Sequence, residues 1–454
     1  MGGSIRKPPP TRESPALNAV FFALVLIAFA VAGVRELAWV AATADERSPM
    51  EVLSLAMVES AGSAVTLAIG LVGVMALFLG LMKVAEAGGL LVIIARTVRP
   101  LMVRLFPEVP AEHPAMGAMI LNMSANVLGL GNAATPFGIR AMQELDTLNQ
   151  HKGTATNAMV LFLAINTSSV TILPTGIIAL RAAAGSSDPA AILPTTLFAT
   201  ICSTTIAIIA AKTYQRYFAV PSVSDTQVET APDEREAAPG DAAPGDTTLE
   251  ADTARGYPAW VSMVVLAAIV GLIPLTLLYG RQISPWVIPG LMVALLGFGF
   301  LRKVAVYEVF VEGAKDGFQV ALRIIPYLVA ILVAVGMFRA SGAMDMLLTP
   351  IGSVTRHIGL PPEALSMALL RPLSGSGAYG VVASIIENPA IGPDSYIGYL
   401  VSTLQGSTET TFYVIAVYFG AVQVRRIRHA LAAGLTADFA GIIAAVVICT
   451  ILFA

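Results

Sequence analysis

Long stretches of this chain carry one charged side chain or none, and that property decides what it can fold into. Such runs fall at 16–34, 64–82, 157–180, 193–211, 259–279, 285–301, 324–340, 396–421 and 430–453. About 20 apolar residues in a helix span the roughly 30 Å hydrocarbon core of a bilayer. With 56% hydrophobic and 13% charged residues, the chain reads as an all-α polytopic membrane protein. A net charge of −3 and no basic patch with interleaved aromatics give no support to nucleic-acid binding.

The first run, within a span over 16–42, follows a tail with Arg6, Lys7 and Arg12. It is longer than a secretory signal's apolar region and no small-residue cleavage site follows, so it reads as a retained span. Amphipathic stretches at 50–63 and 304–322 precede spans. Residues 83–115 mix Lys83, Arg96, Arg99 and Arg104 with apolar residues, which suits a helix at the cytoplasmic interface. Ser222 to Arg255 is rich in Asp, Glu, Pro, Ala, Gly and Thr, the composition of a disordered acidic linker. The chain thus divides into a membrane repeat at 1–212, a linker at 213–258 and a second repeat at 259–454 with an extra leading span.

Two segments break the apolar pattern. Asn122 to Pro136 holds three asparagines, a serine, a threonine, two glycines and a proline. Arg371 to Gly380 is Arg-Pro-Leu-Ser-Gly-Ser-Gly-Ala-Tyr-Gly. An unpaired amide or hydroxyl in hydrocarbon costs several kcal/mol, so such segments are buried in protein or line a wet cavity. Glycine and proline argue for re-entrant or broken helices there.

The order of features repeats. Val58-Glu59-Ser60-Ala61 answers Val311-Glu312-Gly313-Ala314, the two polar breaks answer each other, and Asn166–Thr171 answers Gln405–Thr410. Basic clusters at Arg302-Lys303 and Arg425–Arg428 fall on the cytoplasmic side if 259–279 is an extra span, which inverts the second repeat. The N-terminus and linker are then cytoplasmic. Inverted repeats with facing polar breaks are the plan of many secondary transporters.

The residues also carry a resemblance. Gly129-Leu-Gly-Asn-Ala-Ala-Thr-Pro-Phe-Gly-Ile-Arg-Ala-Met with Glu144–Asn149 resembles the spore maturation protein A family. Val306–Phe318, Met337–Ala343, Leu370–Ala378 and Ser402–Tyr413 resemble the spore maturation protein B family. The chain looks like a fusion of the two, and the resemblance implies a nucleoside recognition (Gate) domain, shared more distantly with concentrative nucleoside transporters and ferrous iron transporters. It implies an inner-membrane protein that moves a solute, without naming the solute.

The candidate solute-lining residues are Asn122, Ser124, Asn126, Asn132 and Thr135 in the first break, and Arg371, Ser374 and Ser376 in the second. Asn166, Ser168 and Thr171 join them with Gln405, Ser407, Thr408 and Thr410 from the two matching spans. Each could instead cap a broken helix or pack between helices. Glu409, in an otherwise apolar span opposite Val170, is the candidate ion-coupling residue, with a structural ion pair to Arg371 or Arg339 as the competing reading. Asp438 in the last span could serve either way. Cys202 and Cys449 read as core residues, and the four histidines as solvated and unsuited to metal.

No phosphate-binding loop, metalloprotease motif, dinucleotide fingerprint or serine elbow is present, so neither catalysis nor a cofactor is expected. The expected partners are the bilayer, a small polar solute and a coupling proton or sodium ion. The leading reading is a transporter or channel for a small polar, nucleoside-like solute. The alternatives are a membrane scaffold for envelope or spore maturation and a lipid-carrier flippase.

Overall fold

The computed structural model describes residues 15–40, 46–129, 131–218, 256–344, 346, 350–351 and 355–453. The N-terminal tail and the acidic stretch Ser222–Arg255 lie outside them. The described chain is helical. The first half contains α1 (Pro15–Leu37), α2 (Pro49–Ala87), α3 (Leu90–Leu105), α4 (Pro114–Val127), α5 (Gly131–Thr147), α6 (Asn157–Thr167), α7 (Thr175–Ala183) and α8 (Leu193–Tyr214). The second contains α9 (Ala259–Leu301), α10 (Val306–Ala340), α11 (Pro362–Leu370), α12 (Gly375–Ile386), α13 (Tyr396–Ser407), α14 (Thr411–Ala421) and α15 (Ala430–Phe453). By length and composition α2, α8 with the short turn before it, and α15 can each cross a membrane.

Several expected boundaries differ. The amphipathic stretches do not stand apart from the spans that follow them: 50–82 is one helix, α2, and 304–340 is one helix, α10. Ser48 caps α2 by accepting from the Glu51 N–H, while the Glu51 carboxylate accepts from the Ser48 N–H. That cap starts the helix before the amphipathic pattern gives way to a purely apolar one. The spans expected at 157–180 and 396–421 are each broken, into α6–α7 and α13–α14.

The two expected spans at 259–279 and 285–301 form one helical element, α9, of 43 residues. Straight, it would be about 64 Å long. Yet the Tyr257 N–H donates to the Arg96 carbonyl and Ser262 donates to the Thr97 carbonyl, while Phe298 packs on Gly88. Gly88 lies in the turn just before α3, and Arg96 is about 9 Å along α3 from its first residue, Leu90. Both ends of α9 therefore sit beside α3, and the element doubles back between them.

Corresponding helices of the two halves run antiparallel. Gly313 meets Leu79 and Lys83, Gly317 meets Ala76, and Gly336 meets Ser60, so rising numbers on α10 meet falling numbers on α2. On α8 and α15, Tyr214 bonds Thr436 at 3.0 Å, and Ser203 donates to the Ala437 carbonyl at 2.8 Å. Thr195 and Cys449, at the far ends, both bond Thr403. This is the relation a two-fold axis in the membrane plane produces. The apolar cores are shared: one joins Met116, Phe162 and Ala207 with Val414 and Ala433, another joins Leu71, Phe78 and Ile178 with Leu332, Val382 and Ile448.

Basic residues gather on one face. Arg425 and Arg426 donate backbone N–H groups to the Gly153 carbonyl, and Arg428 bonds Asn157 at 2.9 Å. Asn157 also bonds Glu108, just past the end of α3, at 3.4 Å, which brings that end of α3 to the same face.

The close approach of α2 and α10 yields a test. A Cβ at Gly317 would lie 2.7 Å from the Ala76 backbone, whereas Gly73 has nothing within 4 Å. Gly317→Leu is expected to destabilise the purified full chain by at least about 1–3 kcal/mol, the usual cost of overpacking. Gly73→Leu should stay within about 0.5 kcal/mol of the parent. Detergent melting curves of both variants check this.

Candidate functional site

Each half contributes two broken segments, and the four breaks meet. α4 turns back into α5 through Gly129, whose φ of 76° suits glycine, and whose Cα faces the Leu173 carbonyl. The Ile172 N–H of the α6–α7 break donates to the Val127 carbonyl at 3.0 Å, and the Phe412 N–H at the α13–α14 break donates to the Pro372 carbonyl at 3.1 Å. These two bonds are counterparts across the repeats. A third bond joins the halves: the Glu409 N–H donates to the Thr167 carbonyl at 2.8 Å. Thr204 of α8 donates to the Ser168 carbonyl.

On the first-half side the cluster is one of amides. Asn122 donates to the Ala134 carbonyl at 2.7 Å and to the Tyr418 hydroxyl at 3.3 Å. Asn126 donates to the Asn166 side-chain carbonyl at 3.0 Å, which also accepts from Tyr418 at 3.4 Å. Asn166 donates in turn to the Phe162 carbonyl. Asn122 Oδ1 is buried with no partner. Tyr418 stacks on Phe162 and its hydroxyl fills the place a Cβ at Gly138 would need.

On the second-half side the cluster is charged. Arg371, 6% exposed, donates to Thr410 Oγ1 at 3.1 Å and to the Thr408 carbonyl. It lies 3.5 Å from Glu409. Thr411 donates to Asp438 Oδ2 at 2.6 Å. Arg371, Pro372, Ser407, Thr408, Asp438 and Ile442 line a crevice too narrow for a water-sized sphere. Arg371 Nε and Asp438 Oδ1 are buried there without partners.

The expected residues thus separate into groups. Asn122, Asn126 and Asn166 form one cluster, and Arg371, Ser407, Thr408 and Thr410 form the other. Ser374 caps α12 by accepting from the Gly377 N–H and lies 3.5 Å from Ser376. Gln405 is half-buried with Oε1 unpartnered. Ser124 and Ser168 instead donate to carbonyls of their own helices, and Thr171 to the Ser169 carbonyl. Thr135 is half-buried on α5, and the Asn132 side chain lies outside the described residues.

Glu409 sits in a helix break with its side chain 52% exposed, not in a continuous apolar span, and it makes the ion pair with Arg371. Arg339 bonds Ser384 instead. Cys202 and Cys449 are free thiols, Cys449 buried. Tyr418 and Thr411 gave no sequence signal, because an aromatic or threonine in an apolar helix reads as core.

Each face carries a strap between the halves. Opposite the basic face, Arg181 is wholly buried; it donates to the Pro393 carbonyl at 2.6 Å and Asp394 at 2.9 Å and lies 4.4 Å over the Tyr399 ring. Burial opposes ionisation of Asp394, yet hydrogen bonds from Ser186 and Ser187 and the Arg181 charge hold its carboxyl below the usual range. On the basic face the strap is Arg428 with His429. His429 is not solvated as expected but 1% exposed, because its ring packs beside Phe218 and against the Ala211 backbone.

Burial, then the Arg428 charge, push the His429 imidazole from 6.5 down to about 4. A histidine with a lowered folded value contributes stability above its unfolded value, lost as pH falls towards the folded one. The melting temperature is therefore expected to fall between about pH 6.5 and about pH 4, and His429→Gln to flatten that limb. A second test concerns Tyr418→Phe. It leaves Asn122 with its Ala134 bond alone and should cost about 1–3 kcal/mol in thermal unfolding.

The nucleoside recognition (Gate) family matches residues 68–184 and 321–425. Spore maturation protein B of Bacillus subtilis (strain 168) is 46% identical over 166 residues, covering 37% of this chain and 92% of the relative. Spore maturation protein A of the same organism is 45% identical over 163 residues, covering 36% of this chain and 81% of the relative. No solved structure matches.

Proposed function

The chain belongs to the spore maturation protein family, as a fusion of its A and B types with Gate sequence in both halves, and on that premise we propose that it is a transporter for a small polar solute. It is a membrane protein; the basic face is the cytoplasmic one in this reading. The solute site is the meeting point of the four breaks, between the amide cluster and the Arg371 crevice. Nucleosides lead the candidate solutes, because the matching family is the nucleoside recognition family.

One observation carries the reading. Arg371 is a buried guanidinium at the junction of two inverted repeats, with its donors spent on the edges of a helix break and Nε left over. A buried cation is costly to keep in hydrocarbon and is retained where it meets a ligand or an ion path. The crevice is closed, so admitting a solute requires the breaks to separate. The bonds that would have to yield include the Glu409-to-Thr167 link, the Tyr418 contacts with Asn122 and Asn166, and the straps on the two faces. A scaffold has no use for matched polar breaks in both halves.

The test is uptake by proteoliposomes over a panel of nucleosides, amino acids and small carboxylates, with and without proton or sodium gradients. At least one class is expected to accumulate. Arg371→Lys keeps the charge but loses the planar fork. It should cut that uptake by tenfold or more, about 1.4 kcal/mol or above, while still eluting as a folded protein. No uptake by any member would sink the reading; translocation of a labelled lipid carrier instead would make the protein a flippase.

A further inference from the structure

We propose that Asp438, rather than Glu409, is the carboxyl that takes up and releases a proton as this protein changes state. The proposal rests on the transporter reading and names the ion at that same site.

The two carboxylates near Arg371 are in opposite situations. Glu409 is 52% exposed and already paired with Arg371 at 3.5 Å. A proton there would remove one screened ion pair, a small effect. Asp438 is 3% exposed and has no cation within salt-bridge distance among the described residues. One of its oxygens takes the Thr411 hydrogen; the other is buried and unpartnered, on a residue that lines the crevice. Arg371 offsets one negative charge, and Glu409 supplies it. The Asp438 charge is the uncompensated one, and a buried charge without a partner is neutralised in preference.

The neighbouring elements offer no other compensation. α6 has no titratable side chain, and α8 brings Cys202, Lys212 and Tyr214, of which Tyr214 bonds Thr436. On α13, Tyr396 bonds the Gly359 carbonyl and Tyr399 stacks under Arg181. On α14, Tyr418 belongs to the amide cluster and Tyr413 is exposed. Cys449, on the same helix as Asp438, bonds Thr403. Arg371 is the one charge of these that acts on Asp438. A metal cation would need a shell of several oxygens and would sit against Arg371 in a crevice without room for water. A proton needs no room.

The carboxyl is also placed to matter. Thr411 opens α14, and Thr408 lies in the break before it and interacts with the same carboxyl. A proton from the aqueous phase on Oδ1 makes that oxygen a donor, leaves Oδ2 free to keep accepting from Thr411, and ends the carboxylate's pull on Arg371. The charge change is felt at Thr408 and Thr411, which flank Glu409, whose N–H bonds the other half at Thr167.

Infrared difference spectroscopy of the full chain in lipid nanodiscs, titrated from alkaline to acidic pH, tests this. A protonated-carboxyl absorbance that grows as pH falls is expected in the parent and in Glu409→Gln, and lost in Asp438→Asn. Thr411→Val should keep the absorbance and move its midpoint to higher pH, because the charged form loses a donor; this variant carries the test if Asp438→Asn fails to fold. The proposal is overturned if the absorbance survives Asp438→Asn, vanishes in Glu409→Gln, or does not move in Thr411→Val. It is equally overturned if replacing sodium with choline throughout the titration abolishes the pH dependence of the absorbance. No solute is needed. A titrating Asp438 in a protein that carries nothing across liposomes would sink the transport reading alone. Uptake indifferent to pH and to Asp438→Asn would sink this proposal alone.

Discussion

Every backbone polar group inside a bilayer must find a partner within the protein, and the four helix breaks make that demand acute. Each break frees N–H and C=O groups that a continuous helix would have paired. They are satisfied across breaks: Ile172 to Val127 and Phe412 to Pro372 within the halves, Glu409 to Thr167 between them. The breaks must therefore lie together. Helix contacts with small residues permit it, since α2 and α10 close onto each other at Gly80, Gly313, Gly317 and Gly336. The interface is antiparallel because the second repeat is inverted, and the shared cores follow from that pairing.

The two-fold relation is one of backbone, not of chemistry. The first half brings amides that mostly satisfy one another; the second brings Arg371, Glu409 and Asp438. Tyr418 shows how far the halves interpenetrate, since its hydroxyl completes an asparagine cluster built by the other repeat. An approximately symmetric scaffold holding an asymmetric charge can favour one of two inverted conformations by the state of that charge. Identical halves would have no such handle.

Much of this was legible from residue order. Asn122–Pro136 and Arg371–Gly380 announced themselves because polar residues with glycine and proline cannot stay in an apolar helix unbroken. The inversion was readable from basic clusters and one extra span, since the positive residues of both halves could share a side in no simpler way. The two spans read at 259–279 and 285–301 appear instead as one helical element. The break inside 396–421 was not legible, because Gln405–Thr410 contains no proline. The fate of individual hydroxyls was equally hidden: Ser124 and Ser168 look like site residues by position, but each bonds the carbonyl four residues back, the usual local option for serine.

Glu409 and Asp438 rank differently in sequence and in space. In a linear sequence, a carboxylate among polar residues in an apolar run outranks one alone in the last helix. In three dimensions their burial runs the other way. The break that surrounds Glu409 opens it to the surface, whereas α15 carries Asp438 to the foot of that same break and seals it against Thr411. Burial, not sequence company, sets how strongly a charge is coupled to its surroundings. The isolated carboxylate is the one whose charge the fold has to answer for.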